Sequence, residues 1–207
     1  MIELTDEELL YASEEDWAFY NKITEGLPTM AGKNGDGLDK FGVPIPYHSG
    51  PHILRHFREA IDIVNPECIL EIGFNMGHSV SMWLNLFDGY VLSCDISQKD
   101  ETLLGAEYLR RTYQDRFEFQ WRDDVNDYTA NSYPMHRFFD LAFIDGAHDE
   151  KSIIDDTELC IKMKIPYILY DDFYERYGDT KKALTHFPEL ELVKDMNNLR
   201  LYKINYQ

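Results

Sequence analysis

The chain has 207 residues, a formal net charge of −18 and 44 % apolar residues. That length and composition suit one globular domain of α/β size with a sizeable core, and exclude a disordered chain. So negative a field opposes duplex nucleic acid and anionic membranes as partners, and no apolar run reaches membrane-spanning length. The three cysteines, Cys68, Cys94 and Cys160, form no C-x-x-C pair and fall in apolar or helical patterns. Reduced thiols in a cytoplasmic setting are expected. The start MIELTDEELL lacks the basic and apolar regions of a signal peptide, so none is expected.

In chain order, residues 6–20 read as an amphipathic helix with Thr5 as N-cap and Glu8 three residues on. Residues 21–50 hold so many glycines and prolines that no long element is expected there. The first 50 residues therefore divide from 51–207 as a helix and a flap, the flap reaching toward the site or serving only as an arm. From residue 51 a regular alternation begins, with a helix over 51–64 opened by Pro51. Strands follow at 68–73, 90–96, 117–122, 140–146 and 167–173; helices follow the first, second, fourth and fifth of them at 77–86, 99–113, 149–163 and 175–186. Two last runs, LELVKDM and LRLYKIN, flank Asn197-Asn198 as a tight hairpin. Repeated strand–helix units predict a mostly parallel, doubly wound α/β sheet with an antiparallel hairpin at its end.

The most informative stretch is ILEIGFNMGHSV, residues 69–80, followed by VLSCDIS at 91–97. An apolar strand ends at Glu71, and a turn carries Gly73 and Gly77. A helix starts near His78-Ser79, and the next strand ends in Asp95. Glycines allow a sharp bend and close approach of a ligand, and the helix start turns free N–H groups to the same spot. A dinucleotide fingerprint needs a second glycine where this chain has Asn75, so NAD and FAD are disfavoured. A carboxylate at the end of the second strand can accept both hydroxyls of a ribose.

These residues resemble the class I S-adenosylmethionine-dependent methyltransferases, whose first motif matches Glu71 to Ser79. The resemblance covers roughly residues 50–205 and implies a Rossmann-like seven-stranded sheet of order 3-2-1-4-5-7-6. It implies S-adenosylmethionine as cofactor, with contacts from Glu71, Gly73, Phe74, Asn75, Gly77, Ser79, Asp95, Ile96 and Asp145. Asp123, or its neighbour Asp124, stands where that family meets the adenine amino group; a solvated loop acid is the competing reading.

A second cluster is FDLAFIDGAHDEKSIIDD, residues 139–156, with Asp145 at one strand end and His148 three residues on. The next strand ends at Asp171-Asp172. Neighbouring parallel strands bring such carboxylates to one edge, where they repel one another unless a cation intervenes. Oxygen ligands favour Mg²⁺, Ca²⁺ or Mn²⁺. Ordinary edge acids in an acidic chain are the competing reading. The cluster is similar to that of the metal-dependent O-methyltransferases, in particular the macrocin and cephalosporin-hydroxylase-like group. That resemblance implies a metal triad of Asp145, Asp171 and Asp172, with Asp172 replacing an asparagine. It also implies catalysis by His148 as base together with Asp145; His148 as a plain helix-start residue is the alternative.

Other constellations carry less. His52 and His56 are spaced for a helical metal pair but lack a zincin glutamate, and lining of a substrate pocket is expected instead. Trp83, Trp121, Tyr170 and Tyr174 are expected in core or rim, and Asp155-Asp156 on a solvated helix face.

The expected function is transfer of a methyl group to a hydroxyl oxygen of a small molecule, with a divalent cation, in an enzyme that pairs through its N-terminal region if it follows the family's habit. Three alternatives stay open: a hydroxylase-like enzyme on the same fold, a metal-free methyltransferase acting on nitrogen or protein, and a non-catalytic binding module. The acceptor itself is not encoded in any motif.

Overall fold

Period-two alternation along the strands sends successive side chains to opposite faces, and both faces are apolar here. Ile69, Val91, Leu141, Phe143, Leu169, Leu199 and Leu201 are buried on one face. Leu70, Ile72, Leu92, Cys94, Ala142, Ile144, Ile168 and Tyr170 are buried on the other. A sheet buried on both sides needs helices on both sides. The computed structural model describes residues 12–28, 53–121, 138–171, 178–196 and 199–206.

The elements are α1 (Glu14–Ile23), α2 (Leu54–Val64), β1 (Cys68–Ile72), α3 (His78–Leu86), β2 (Tyr90–Asp95), α4 (Asp100–Tyr113), β3 (Phe117–Trp121), β4 (Leu141–Ile144), α5 (Glu150–Lys162), β5 (Tyr167–Tyr170), α6 (Gly178–Leu184), β6 (Leu190–Met196) and β7 (Leu199–Ile204). The seven strands are ordered β3-β2-β1-β4-β5-β7-β6. β1 to β5 are parallel, and β7 and β6 run antiparallel beyond β5. This is the expected doubly wound sheet, with the expected order.

Residues of α1 to α4 join the first core, and those of α5 and α6 the second. Strand order reverses between β1 and β4, so the helices that follow them leave to opposite faces. A crevice opens at such a reversal, outside the carboxyl ends of the strands. Phe57 of α2 stacks on Trp83 of α3 at 3.6 Å and meets Phe143 of β4 edge-on at 5.1 Å, locking one wall behind that crevice. Trp83 and Tyr170 are core residues as expected, whereas Trp121 is 40 % exposed.

The first helix among the described residues differs from expectation. It begins after Ser13, whose Oγ accepts from the Asp16 N–H at 3.0 Å, and continues to Ile23. The acids Glu14, Glu15 and Asp16 in its first turn suit the positive helix end. The predicted cap at Thr5 and the predicted Pro51 lie outside the described residues. Tyr20, Ile23 and Leu27 are buried in the same core as α3 and α4. Ser81 Oγ donates to the Ile23 carbonyl at 2.5 Å and Tyr108 Oη to that of Glu25 at 2.5 Å. α1 is thereby fixed beside the helix that starts at the glycine bend.

Among the described residues no helix is long and apolar enough to cross a membrane. None of the three cysteines is in a disulfide, and Cys94 and Cys160 are buried.

Candidate functional site

The bend between β1 and α3 is built from three left-handed positions. Gly73, Asn75 and Gly77 have φ of +104°, +50° and +86°. Asparagine is among the few non-glycine residues that adopt this region readily, which explains why Asn75 can stand where a glycine was sought. Gly73 also faces a wall: a Cβ there would lie 2.0 Å from the Asp145 carbonyl oxygen. The bend therefore presses directly on the end of β4.

Asp95 does more than the sequence suggested. Its Oδ2 accepts from the Phe74 N–H at 2.9 Å and from the Asn75 N–H at 2.6 Å. Its Oδ1 accepts from the Ser97 N–H at 2.7 Å. The carboxylate thus closes the bend and tethers the chain leaving β2. About four lone-pair sites serve a carboxylate, so Oδ1 keeps capacity for a ribose hydroxyl. Ile96 follows directly and is 66 % exposed, an apolar surface suited to the flat side of a nucleobase.

A further residue supports the bend without having been foreseen. Gly105 lies inside α4, and a Cβ there would meet the Met76 carbonyl oxygen at 2.4 Å. Only glycine lets α4 pack this closely on the turn. An isolated glycine within a helical pattern was the signal available.

Of the expected cofactor contacts, Glu71 is fully buried, Ser79 is 3 % exposed and Phe74 1 % exposed. Phe74 packs on Phe119 at 4.8 Å, so it contributes its backbone to the site and its ring to the core. Period two explains Glu71: it points to the same face as Ile69, beneath α3. There Ser93 Oγ donates to its Oε1 at 3.0 Å.

Burial pushes the Glu71 carboxyl up to about 8, opposed by the Ser93, Ser79 and Trp83 side chains and reinforced by the Asp95 charge. The folded chain then holds a proton that a free carboxyl releases near its ordinary 4.5. Stability contributed by this proton is complete below about 4.5 and is lost as pH rises to about 8. Glu71→Gln mimics the protonated form. Its melting temperature is expected to match wild type in mild acid and exceed it at about pH 9, by about 2–4 °C per kcal/mol relieved. A gap between the two proteins that does not widen with pH contradicts the assignment.

His78, the first residue of α3, stacks on Tyr20 at 6.3 Å. Burial lowers it to about 4, so it adds no charge beside the bend at neutral pH.

At the other side of the crevice, Asp145 directly follows β4 and Asp171 directly follows β5. Ile144 pairs with Tyr170, so the two acids follow adjacent register positions. The Asp145 N–H donates to the Ile72 carbonyl at 2.8 Å, and that of Asp171 to the Ile144 carbonyl at 3.1 Å. His148 Nε2 stands 4.0 Å from Asp145 Oδ1, and both side chains are partly exposed. The structure thus brings Gly73, Asp145 and His148 to one corner. Among the described residues, no group of three or more His, Cys, Asp or Glu side chains is arranged to hold a metal ion. Asp172, the third expected ligand, and Asp123 lie outside the described residues.

His56 is 5 % exposed and accepts from Arg55 Nε at 3.3 Å, so it belongs to the body of α2 rather than to an open pocket lining. His52 and Tyr174 lie outside the described residues. Asp156 is 4 % exposed, which corrects its expected place on a solvated face. Its neighbour Asp155 pairs with Lys151.

Residues 70–172 match the family model described as a methyltransferase domain, a span running from β1 through β5. No curated protein sequence matches the chain. Solved structures do. The S-adenosylhomocysteine-bound methyltransferase PaMTH1 of Podospora anserina is 13 % identical with a TM-score of 0.61, over 98 % of this chain and 89 % of that one. The O-methyltransferase TomG of Streptomyces achromogenes, involved in tomaymycin synthesis and solved with S-adenosylmethionine, is 15 % identical with a TM-score of 0.59, over 96 % and 93 %. An O-methyltransferase of Bacillus cereus in complex with S-adenosylhomocysteine is 14 % identical with a TM-score of 0.58, over 94 % and 93 %. At such identities the likeness is one of fold.

Proposed function

We propose that this chain, whose residues 70–172 match a methyltransferase domain, moves the methyl group of S-adenosylmethionine to a hydroxyl oxygen of a small molecule. The observation that carries this reading is the corner where the glycine bend, Asp145 and His148 meet. The neighbours solved with that cofactor or its product, two of them O-methyltransferases, support it.

The residues fit the cofactor. The bend at 73–77 offers a backbone cradle, held against the end of β4 by the absence of a side chain at Gly73. Asp95 keeps an acceptor site on Oδ1, and Ile96 gives an apolar surface beside it. When bound, the sulfonium supplies an electrophilic methyl group. His148 is set to take the proton of an acceptor hydroxyl, since imidazole can act as a base near neutral pH. Asp145 Oδ1 stands 4.0 Å from the His148 Nε2. The main contribution of the protein is alignment of acceptor oxygen and methyl group.

A divalent cation held by Asp145, Asp171 and Asp172 belongs to the same proposal. It rests on two acids at adjacent strand ends and on the resemblance read from the sequence. No step above is routed through it.

The test uses methyl-labelled cofactor with a panel of catechol-type and sugar-type hydroxyl acceptors, with and without a chelator. Label is expected on oxygen, with a loss of about tenfold or more when the cation is removed. Label on nitrogen or on protein contradicts the acceptor class, and indifference to chelator contradicts the cation.

A further inference from the structure

Asp156 lies on the buried stripe of α5, with Ile153, Thr157 and Cys160. Burying a carboxylate is unfavourable unless polar groups meet it, so its place in the fold needs a reason. Its surroundings locate it. A Cβ on Gly146 would stand 3.5 Å from Asp156 Oδ2, with Ile72 Cγ2 at 3.6 Å and the Ile72 carbonyl oxygen at 3.7 Å. Thr157 Oγ1, one residue on, is hydrogen-bonded with Tyr170 Oη at 2.9 Å. The Asp156 charge also helps to raise the Tyr170 phenol, behind the larger effect of burial. The carboxylate therefore sits under the corner where β1, β4 and β5 end.

On the upper side of that corner, Gly73 rests against the Asp145 carbonyl. The order through the crevice wall is glycine bend, Asp145–Gly146 peptide, Asp156 carboxylate. His148 follows two residues after Gly146 and one before Asp149, whose side chain caps α5 through the Ser152 N–H at 3.1 Å. The connection from β4 to α5 is thus held at its helix end by Asp149 and backed at its strand end by Asp156. Chain leaving a strand for a helix presents N–H groups outside the ladder, and a carboxylate is a strong acceptor for such donors.

We propose that Asp156 is a positioning residue whose buried carboxylate braces the Asp145–His148 connection, fixing both the support under the glycine bend and the imidazole beside it. The brace is a property of the fold. Its catalytic meaning rests on the methyl-transfer reading.

The experiment follows the His148 ring signals by NMR in the full chain, assigned by their loss in His148→Gln. Asp156→Asn keeps shape and one acceptor oxygen, while Asp156→Ala removes both. The His148 signals are expected to move and broaden in Asp156→Ala and to return toward wild type in Asp156→Asn, with those of His56 on α2 unchanged. In parallel, kcat falls about tenfold or more in Asp156→Ala, with partial rescue in Asp156→Asn and KM for the cofactor within about threefold. Should Asp156→Ala not fold, Asp156→Leu, which also removes both acceptor oxygens but keeps most of the volume, is expected to show the same displacement. Signals unchanged in every folded variant overturn the brace, even in an active enzyme. Displaced signals in an enzyme indifferent to loss of His148 leave the brace standing and overturn the catalytic reading instead.

Discussion

Replacing His148 with alanine is expected to lower kcat by about 10²–10⁴-fold, the range for loss of a positioned general base. Cofactor affinity should stay within about threefold, because the bend and Asp95 that would hold the cofactor are on other elements. Stability should change little. The ring is partly exposed, and its charged contact with Asp145 is long at 4.0 Å. The comparison to make is single-turnover transfer in both proteins at saturating cofactor. A variant that retains the wild-type rate removes His148 from the chemistry.

Gly73→Ala is expected to have the largest structural effect in the chain. The backbone φ of +104° is disfavoured for any residue with a Cβ. The added carbon would stand 2.0 Å from the Asp145 carbonyl oxygen and 2.8 Å from the Gly146 nitrogen, both of them backbone atoms with no rotamer to escape into. β1 and β4 would have to separate at the crevice. A destabilisation above about 4 kcal/mol by urea titration follows, with cofactor binding lost. Gly146→Ala is the matched control. Its Cβ meets nothing nearer than 3.5 Å, so it should cost less than about 1 kcal/mol. Equal effects at the two glycines contradict the close approach of the bend to β4.

How far the sequence led depended on the kind of information it held. Strands and their order were accessible because apolar runs ending in Glu71-Ile72, Asp95, Ile144 and Tyr170 alternate with helical periods, and because the first motif matched a known class. The corner of Gly73, Asp145 and His148 was legible for the same reason: acids ending neighbouring parallel strands share an edge. What was missed turned on direction. Glu71 belongs to the inward row of β1 with Ile69, a direction that its place before the glycine bend did not reveal. Asp156 belongs with Ile153, Thr157 and Cys160 at helical spacings of three and four, but the pair Asp155-Asp156 was read as a unit; only Asp155 reaches outward, to Lys151. The grip of Asp95 on the Phe74 and Asn75 N–H groups was beyond reach. Backbone donors carry no letter in the sequence.

The central claim is that the bend closed by Asp95 is the cofactor cradle. Calorimetric titration of the wild-type chain and of Asp95→Ala with S-adenosylhomocysteine tests it most directly. Wild type should bind, and the variant should bind at least about 10²-fold more weakly, since it loses charge-assisted hydrogen bonds to the bend as well as the ribose acceptor. Equal affinity in a variant that remains folded, or no binding to the wild type at millimolar ligand, contradicts the account.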